Sequence, residues 1–128
     1  MTSELMSLTW VTALTAVIWM PYILNTIAVR GIMDAVGYPA DPKPLSGWAT
    51  KMKAAHANAV ENLVVFAALV LIADAASVSS ATTVLACQLY FWARLVHLLA
   101  YTFAIPWVRT VAFAVGFFCQ AALVLQLI

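Results

Sequence analysis

The stretch that decides the fold is LMSLTWVTALTAVIWMPYILNTIAV, residues 5–29, in which 25 consecutive positions carry no Asp, Glu, Lys or Arg. At a rise of about 1.5 Å per residue, a helix of this length crosses a hydrocarbon core of about 30 Å. No Lys or Arg precedes the run, and it is longer than the about 7–15 apolar residues of a signal-peptide core, so a cleaved signal peptide is not expected. The sequence therefore predicts a first membrane-spanning helix over residues 5–34.

Further membrane-spanning helices are predicted after this run. The segment YPADPKPLSG, residues 38–47, places three prolines and a glycine within ten positions, which breaks any helix. Ser46 can then cap the next helix, and Pro106 opens a tight turn between the last two helices. The predicted spans cover residues 5–34, 47–74, 80–104 and 107–127.

The composition supports this reading of the chain. Of the 128 residues, 66% are hydrophobic and 9% are charged, whereas about a quarter of the residues are charged in an ordinary soluble domain. The formal net charge of +1 offers no basic surface for nucleic acid. We therefore expect one all-α integral membrane domain over residues 1–128, an up-and-down bundle of four transmembrane helices.

The positions of the basic residues predict how the bundle is oriented. All of them lie near the first loop or the third loop, or on the helix halves that lead to those loops, and the connector after Asp74 has none. By the positive-inside rule, both loops are expected in the cytoplasm and both termini outside. The six basic residues are Arg30, Lys43, Lys51, Lys53, Arg94 and Arg109.

Polar side chains lie at membrane depth on the second and third predicted helices. Asn58 and Glu61 fall on the same polar side of the second helix. On the third helix, Arg94, His97 and Tyr101 form one stripe at i, i+3 and i+7. A charge at this depth costs at least about 2.5–3.5 kcal/mol, so Glu61 and Arg94 are expected to face protein or a water-filled cavity.

Two interpretations of these polar residues remain open. In the first, Glu61 and Arg94 form a structural ion pair that fixes the register of two helices. In the second, the set forms a cationic pocket at the cytoplasmic end of the bundle, closed by Arg30 and Arg109. Such a pocket suits a small anionic ligand, while the surrounding lipid can deliver an apolar one.

No metal site is predicted. His56 and His97 are far apart in the sequence and have no supporting ligands. Cys87 and Cys119 lie in apolar runs without a metal-like spacing and are expected to be buried structural thiols.

Two motifs on these helices resemble those of a known family. The run A-H-x-N-x-x-E-N at residues 55–62 is similar to the second-helix signature of the MAPEG family, membrane-associated proteins in eicosanoid and glutathione metabolism. The run R-x-x-H-x-x-x-Y at residues 94–101, followed by Pro106 and Arg109, resembles the family's other motif. The resemblance implies a homotrimer of four-helix subunits that hold glutathione between neighbours near the cytoplasmic face. It points to a bacterial-type member similar to microsomal glutathione transferase, in the bacterial inner membrane.

The resemblance also implies roles for individual side chains. Glu61 would accept a hydrogen bond from the glutathione amino group, and Arg30 would reach a glutathione carboxylate. Arg109 would stabilise the thiolate, with Thr110 at the adjacent hydroxyl position, because a nearby guanidinium favours the thiolate form. The full set expected to bind glutathione comprises Arg30, Lys53, His56, Asn58, Glu61, Arg94, His97 and Tyr101.

The leading hypothesis is a glutathione transferase or peroxidase acting on a lipophilic electrophile or lipid hydroperoxide from the bilayer. A non-catalytic member that binds lipid or a partner protein is the alternative, because Ala54 and Ala57 stand where many family enzymes have arginines and Phe113 where some have a tyrosine. A small multidrug exporter ranks last, because such proteins need an acidic residue in the first helix and residues 5–29 contain none.

Overall fold

The computed structural model describes residues 1–128 and contains helices and no strands. Four segments are long and apolar enough to cross a membrane, which confirms the predicted all-α, multi-pass membrane fold. The first segment, Ser3–Val36, consists of two helices, and each of the others is one helix. The helices are α1 (Ser3–Val17), α2 (Trp19–Val36), α3 (Gly47–Ala75), α4 (Ala81–Thr102) and α5 (Val108–Leu127).

The first span runs from Ser3 to Val36 and contains two irregularities. Helical hydrogen bonding is interrupted at Ile18, three residues before Pro21. Proline has no amide hydrogen, so the carbonyl of Val17 loses the donor that a regular helix would supply. A second irregularity lies at Gly31, whose φ of 78° and ψ of 160° are accessible to glycine and strained for other residues.

The helices pack around a core in the middle of the bundle. α1 contacts both α3 and α4, α2 contacts α3, and α5 lies mainly against α4. The rings of Phe66 and Tyr90 stack at a centroid distance of 3.9 Å and an interplanar angle of 9°. Gly116 of α5 lies against the Tyr90 ring. Both cysteines are free and buried in this core, as expected.

The two ends of the bundle differ in charge, and each is held together by polar contacts. At the basic end, which carries residues 37–46 and 103–107, the Asn25 side chain accepts from the Ser46 amide at 3.0 Å. At the acid end, which carries residues 76–80, the start of α1 and the end of α5, Ser79 donates to Glu4 at 2.7 Å. Every Lys and Arg of the chain lies in the half of the bundle at the basic end.

Candidate functional site

A network of hydrogen bonds surrounds Arg94 on the inner side of α4. The Arg94 side chain is 4% exposed, and its Nη2 donates to Oδ1 of Asn58 on α3 at 2.7 Å. Nη2 also lies 3.4 Å from Nδ1 of His97. Because arginine can only donate, this contact requires Nδ1 to accept, which places the neutral ring's proton on Nε2.

The network continues from α3 to α5. Asn62 Nδ2 donates to the carbonyl oxygen of Asn58 at 2.9 Å. Gln120 Nε2 of α5 donates to the carbonyl oxygen of Asn62 at 3.2 Å. Three helices are therefore joined at the depth of Arg94, and we call this set the Arg94 network: Asn58, Asn62, Arg94, His97 and Gln120.

Arg94 has no acidic partner within the chain. Glu61 is exposed on α3, and the Nε atom of Arg94 is buried without a hydrogen-bond acceptor. The ion pair between Glu61 and Arg94, one of the two interpretations that the sequence leaves open, is therefore not formed within the chain. Three residues on a helix of 3.6 per turn separate Glu61 from Asn58 by about 60°. This rotation directs Asn58 toward α4 and leaves Glu61 on the outer face. The result is a buried guanidinium paired only with neutral groups.

Tyr101 connects the Arg94 network to a cavity at the basic end. Its ring meets His97 edge-on at a centroid distance of 5.8 Å. On its other side, the guanidinium carbon of Arg109 lies 4.6 Å from the Tyr101 ring centroid, within the range of a cation–π contact. The cavity has a volume of about 280 Å³, and its polar lining consists of Lys51, Tyr101, Arg109 and Thr110.

The remaining residues singled out by sequence lie outside this cluster in the single chain. His56 Nδ1 is 2.7 Å from the hydroxyl of Tyr22, a contact that holds α2 against α3. Arg30 Nε donates to the carbonyl oxygen of Lys43 at 2.7 Å and so fastens the end of α2 to the following loop. Lys53 is exposed on α3, as Glu61 is.

Sequence reasoning missed a buried carboxylate at the acid end. Glu4 is 4% exposed, and its Oε1 accepts from Ser79 Oγ at 2.7 Å and from Thr83 Oγ1 at 2.6 Å. The uncharged run that predicts the first span starts at Leu5, so the predicted helix begins after Glu4. The sequence did contain a signal for including Glu4 in the helix, because the helix dipole favours an acidic residue in the first turn.

Comparison with known proteins assigns the chain to a family. The model of the MAPEG family matches residues 8–128, which is almost the whole chain. The chain belongs to the MAPEG family, as its two motifs indicated. No curated protein and no solved structure gives a significant match.

Proposed function

We propose that this protein is a membrane-embedded, glutathione-dependent transferase or peroxidase that acts on a lipophilic electrophile or a lipid hydroperoxide. The observation that carries the proposal is the buried Arg94 guanidinium, which has no carboxylate partner and lies one aromatic ring away from the Arg109 cavity. A buried charge is costly unless it is compensated. An anionic ligand that reaches Arg94 would supply the missing charge.

The chemistry of the side chains suits glutathione, which carries two carboxylates, an amino group and a thiol. Arg94 retains a free donor at Nε, Asn58 and His97 contact its Nη2, and Tyr101 lies against the His97 ring. In this proposal, Arg30 and Lys53 are further cations for the carboxylates, and Glu61 accepts from the amino group. His56, two residues before Asn58 on α3, belongs to the same proposed glutathione-binding set.

A second copy of the chain would complete part of the proposed glutathione-binding site. Glu61 lies within a membrane-spanning helix and is nevertheless exposed in the single chain. Since a charge exposed to lipid is unfavourable, its exposed face suits contact with a neighbouring subunit. We therefore include a homotrimer in the proposal, to be checked by the mass of the purified complex measured with its detergent contribution subtracted.

The catalytic contribution is assigned to Arg109, helped by Thr110. A guanidinium next to the bound thiol favours its thiolate form, which is the attacking nucleophile. The Thr110 hydroxyl is a donor in the same cavity. Apolar residues of the same lining, Ile105, Pro106 and Trp107, suit the entry of a substrate from the lipid. The proposal includes a location in a bacterial inner membrane, as the resemblance implies, with the basic end on the cytoplasmic side by the positive-inside rule.

The proposal is tested by titrating the purified protein in detergent with glutathione and following the ultraviolet absorbance of the thiolate. Wild-type protein should develop this absorbance, and Arg109→Ala should bind glutathione with little thiolate formed. Lys43→Ala is the matched control, because it removes an exposed cation from the same end of the molecule. Absence of glutathione binding by the wild type would overturn the proposal.

A non-catalytic lipid-binding or protein-binding role is the second candidate. Ala54 and Ala57 are exposed on α3, so neither supplies a cation where many family enzymes have arginine. Normal lipid binding together with no thiol-dependent turnover would select this candidate. The small multidrug exporter is no longer proposed, because the chain belongs to the MAPEG family.

A further inference from the structure

A groove without polar side chains lies between α4 and α5. Its volume is about 390 Å³, and all nine residues that line it are apolar. Leu89 and Val96 lie seven residues apart in its α4 wall, which is about 10 Å of helix, and Val108 and Val115 span the same length in its α5 wall. These four side chains are exposed on two membrane-spanning helices, so the groove opens toward hydrocarbon.

Trp107 joins this α4–α5 groove to the cavity that contains Arg109 and Thr110. The Trp107 side chain lines both spaces and is 80% exposed. One molecule can therefore place an apolar chain in the groove and a reactive group in the cavity. The volume of the groove lies within the range of about 300–1,000 Å³ that is typical of ligand sites.

The backbone at Trp107 is strained. Its φ of 69° and ψ of −38° lie near those of a γ-turn with positive φ. The Val108 amide donates to the Pro106 carbonyl oxygen at 2.8 Å, which is the hydrogen bond that closes such a turn. This turn is rare, and a positive φ is unfavourable for a bulky residue. Because strain of this kind is concentrated at ligand-binding and catalytic positions, it marks Trp107 as a functional residue.

We propose that the α4–α5 groove binds the hydrocarbon chain of the lipophilic substrate and that Trp107 determines specificity for substrates with such a chain. The substrate class is an acyl-chain lipid, such as a fatty-acid hydroperoxide, whose reactive group passes Trp107 and meets the thiolate beside Arg109. The inference rests on the proposed function for the reaction at Arg109, whereas binding of the chain depends only on the groove.

The kinetic test compares two hydroperoxides as substrates of the full chain in mixed micelles. Linoleic acid hydroperoxide has a long chain, and tert-butyl hydroperoxide has none. In both reactions, two glutathione molecules each give up one hydrogen atom, and the products are glutathione disulfide, the alcohol and water. Val111→Trp fills the groove and Trp107→Ala removes its connection to the cavity. Each should raise KM for the long substrate at least about tenfold more than KM for the short one.

Leu125→Trp is the matched control, because Leu125 is an exposed α5 residue outside the groove. This variant should leave both KM values unchanged within about twofold. If Val111→Trp does not fold, Val96→Trp fills the groove from the α4 wall and replaces it. Equal changes in KM for the two hydroperoxides would overturn the inference.

A second measurement does not depend on turnover. A fatty acid that carries a photoactivatable diazirine in its chain should label residues 89–96 and 108–115 saturably, and Val111→Trp should reduce this labelling at least about tenfold. Labelling that does not saturate would indicate bulk lipid and would overturn the inference. Dissociation of an oligomer by Val111→Trp would assign the groove to a subunit contact and would also overturn it. If the wild type reduces neither hydroperoxide, the proposed peroxidase function fails, and labelling alone decides on the groove.

Discussion

Each end of the bundle buries one charged side chain, and the two are held in different ways. Arg94 at the basic end is bound by the amide of Asn58, which projects from the middle of a long helix. Glu4 at the acid end is bound by hydroxyl groups of Ser79 and Thr83, which lie in a turn and in the first turn of α4. Both charges contact neutral groups only, and Arg94 Nε and Glu4 Oε2 remain without a hydrogen-bond partner.

The two charges also differ in depth. Arg94 lies eight residues before the end of α4 at Thr102, about 12 Å along the helix. Glu4 lies in the first turn of α1. The energetic cost of an unpaired charge rises with depth in the membrane. Removing the Arg94 guanidinium should therefore have a larger effect than removing a contact of Glu4, and the first two experiments below test that ranking.

The largest effect is expected for Arg94→Met, which replaces the buried cation by an apolar side chain of similar length. Loss of one partner of a buried charged contact costs about 2–5 kcal/mol, so glutathione should bind at least about thirtyfold more weakly. Isothermal titration calorimetry with glutathione measures the dissociation constant. Arg94→Lys keeps the positive charge and loses the planar guanidinium, so its affinity for glutathione should lie between those of the wild type and Arg94→Met. Binding by Arg94→Met within about threefold of wild type would contradict the assignment.

A smaller effect is expected at the acid end for Thr83→Ala. The Thr83 hydroxyl donates to Glu4 and accepts from the Ser80 amide, so its removal leaves buried groups unpaired. The free energy of unfolding should fall by about 1–2 kcal/mol. Denaturant titration in mixed micelles measures the loss. Thr82→Ala is the control, because Thr82 is the exposed neighbour on the same helix turn; equal losses for both would refute the role of the Glu4 contact.

The smallest effect is expected for Tyr22→Phe, which removes the hydroxyl 2.7 Å from His56 Nδ1 and leaves the ring in place. One hydrogen bond of this kind contributes about 1 kcal/mol to stability. The same unfolding measurement applies, with Tyr38→Phe as control because the Tyr38 side chain is fully exposed. A loss no larger than that of the control would show that the contact between α2 and α3 does not depend on this hydroxyl.

The sequence predicted the spans well because hydropathy and length decide them. The expected bounds 47–74, 80–104 and 107–127 differ from the observed helices by at most two residues at any end. The break at Ile18 was not predicted, although Pro21 was visible in the sequence, because proline is tolerated in many membrane helices. Local propensity alone does not say whether a proline bends a helix or interrupts it.

The site was predicted less completely than the fold. The stripe of Arg94, His97 and Tyr101 is confirmed as one connected group, because residues at i, i+3 and i+7 share a helix face. Of the two interpretations that the sequence left open, the Glu61–Arg94 ion pair is not formed in the chain, because a match of charge by sign does not include helix rotation. Glu61 and Asn58 both belong to the polar side of α3, and only the packing of α3 on α4 decides which one faces Arg94.

The interruption of the first span at Ile18 has a mechanical consequence for these two ends. A continuous helix transmits a tilt along its length through an unbroken ladder of backbone hydrogen bonds. Here one bond of that ladder is missing, because Pro21 has no amide hydrogen for the Val17 carbonyl, while Ile18 keeps helical angles of φ −61° and ψ −29°. The missing bond makes this position easier to bend than a regular helix, between the Glu4 contacts on one side and the Tyr22 contact on the other.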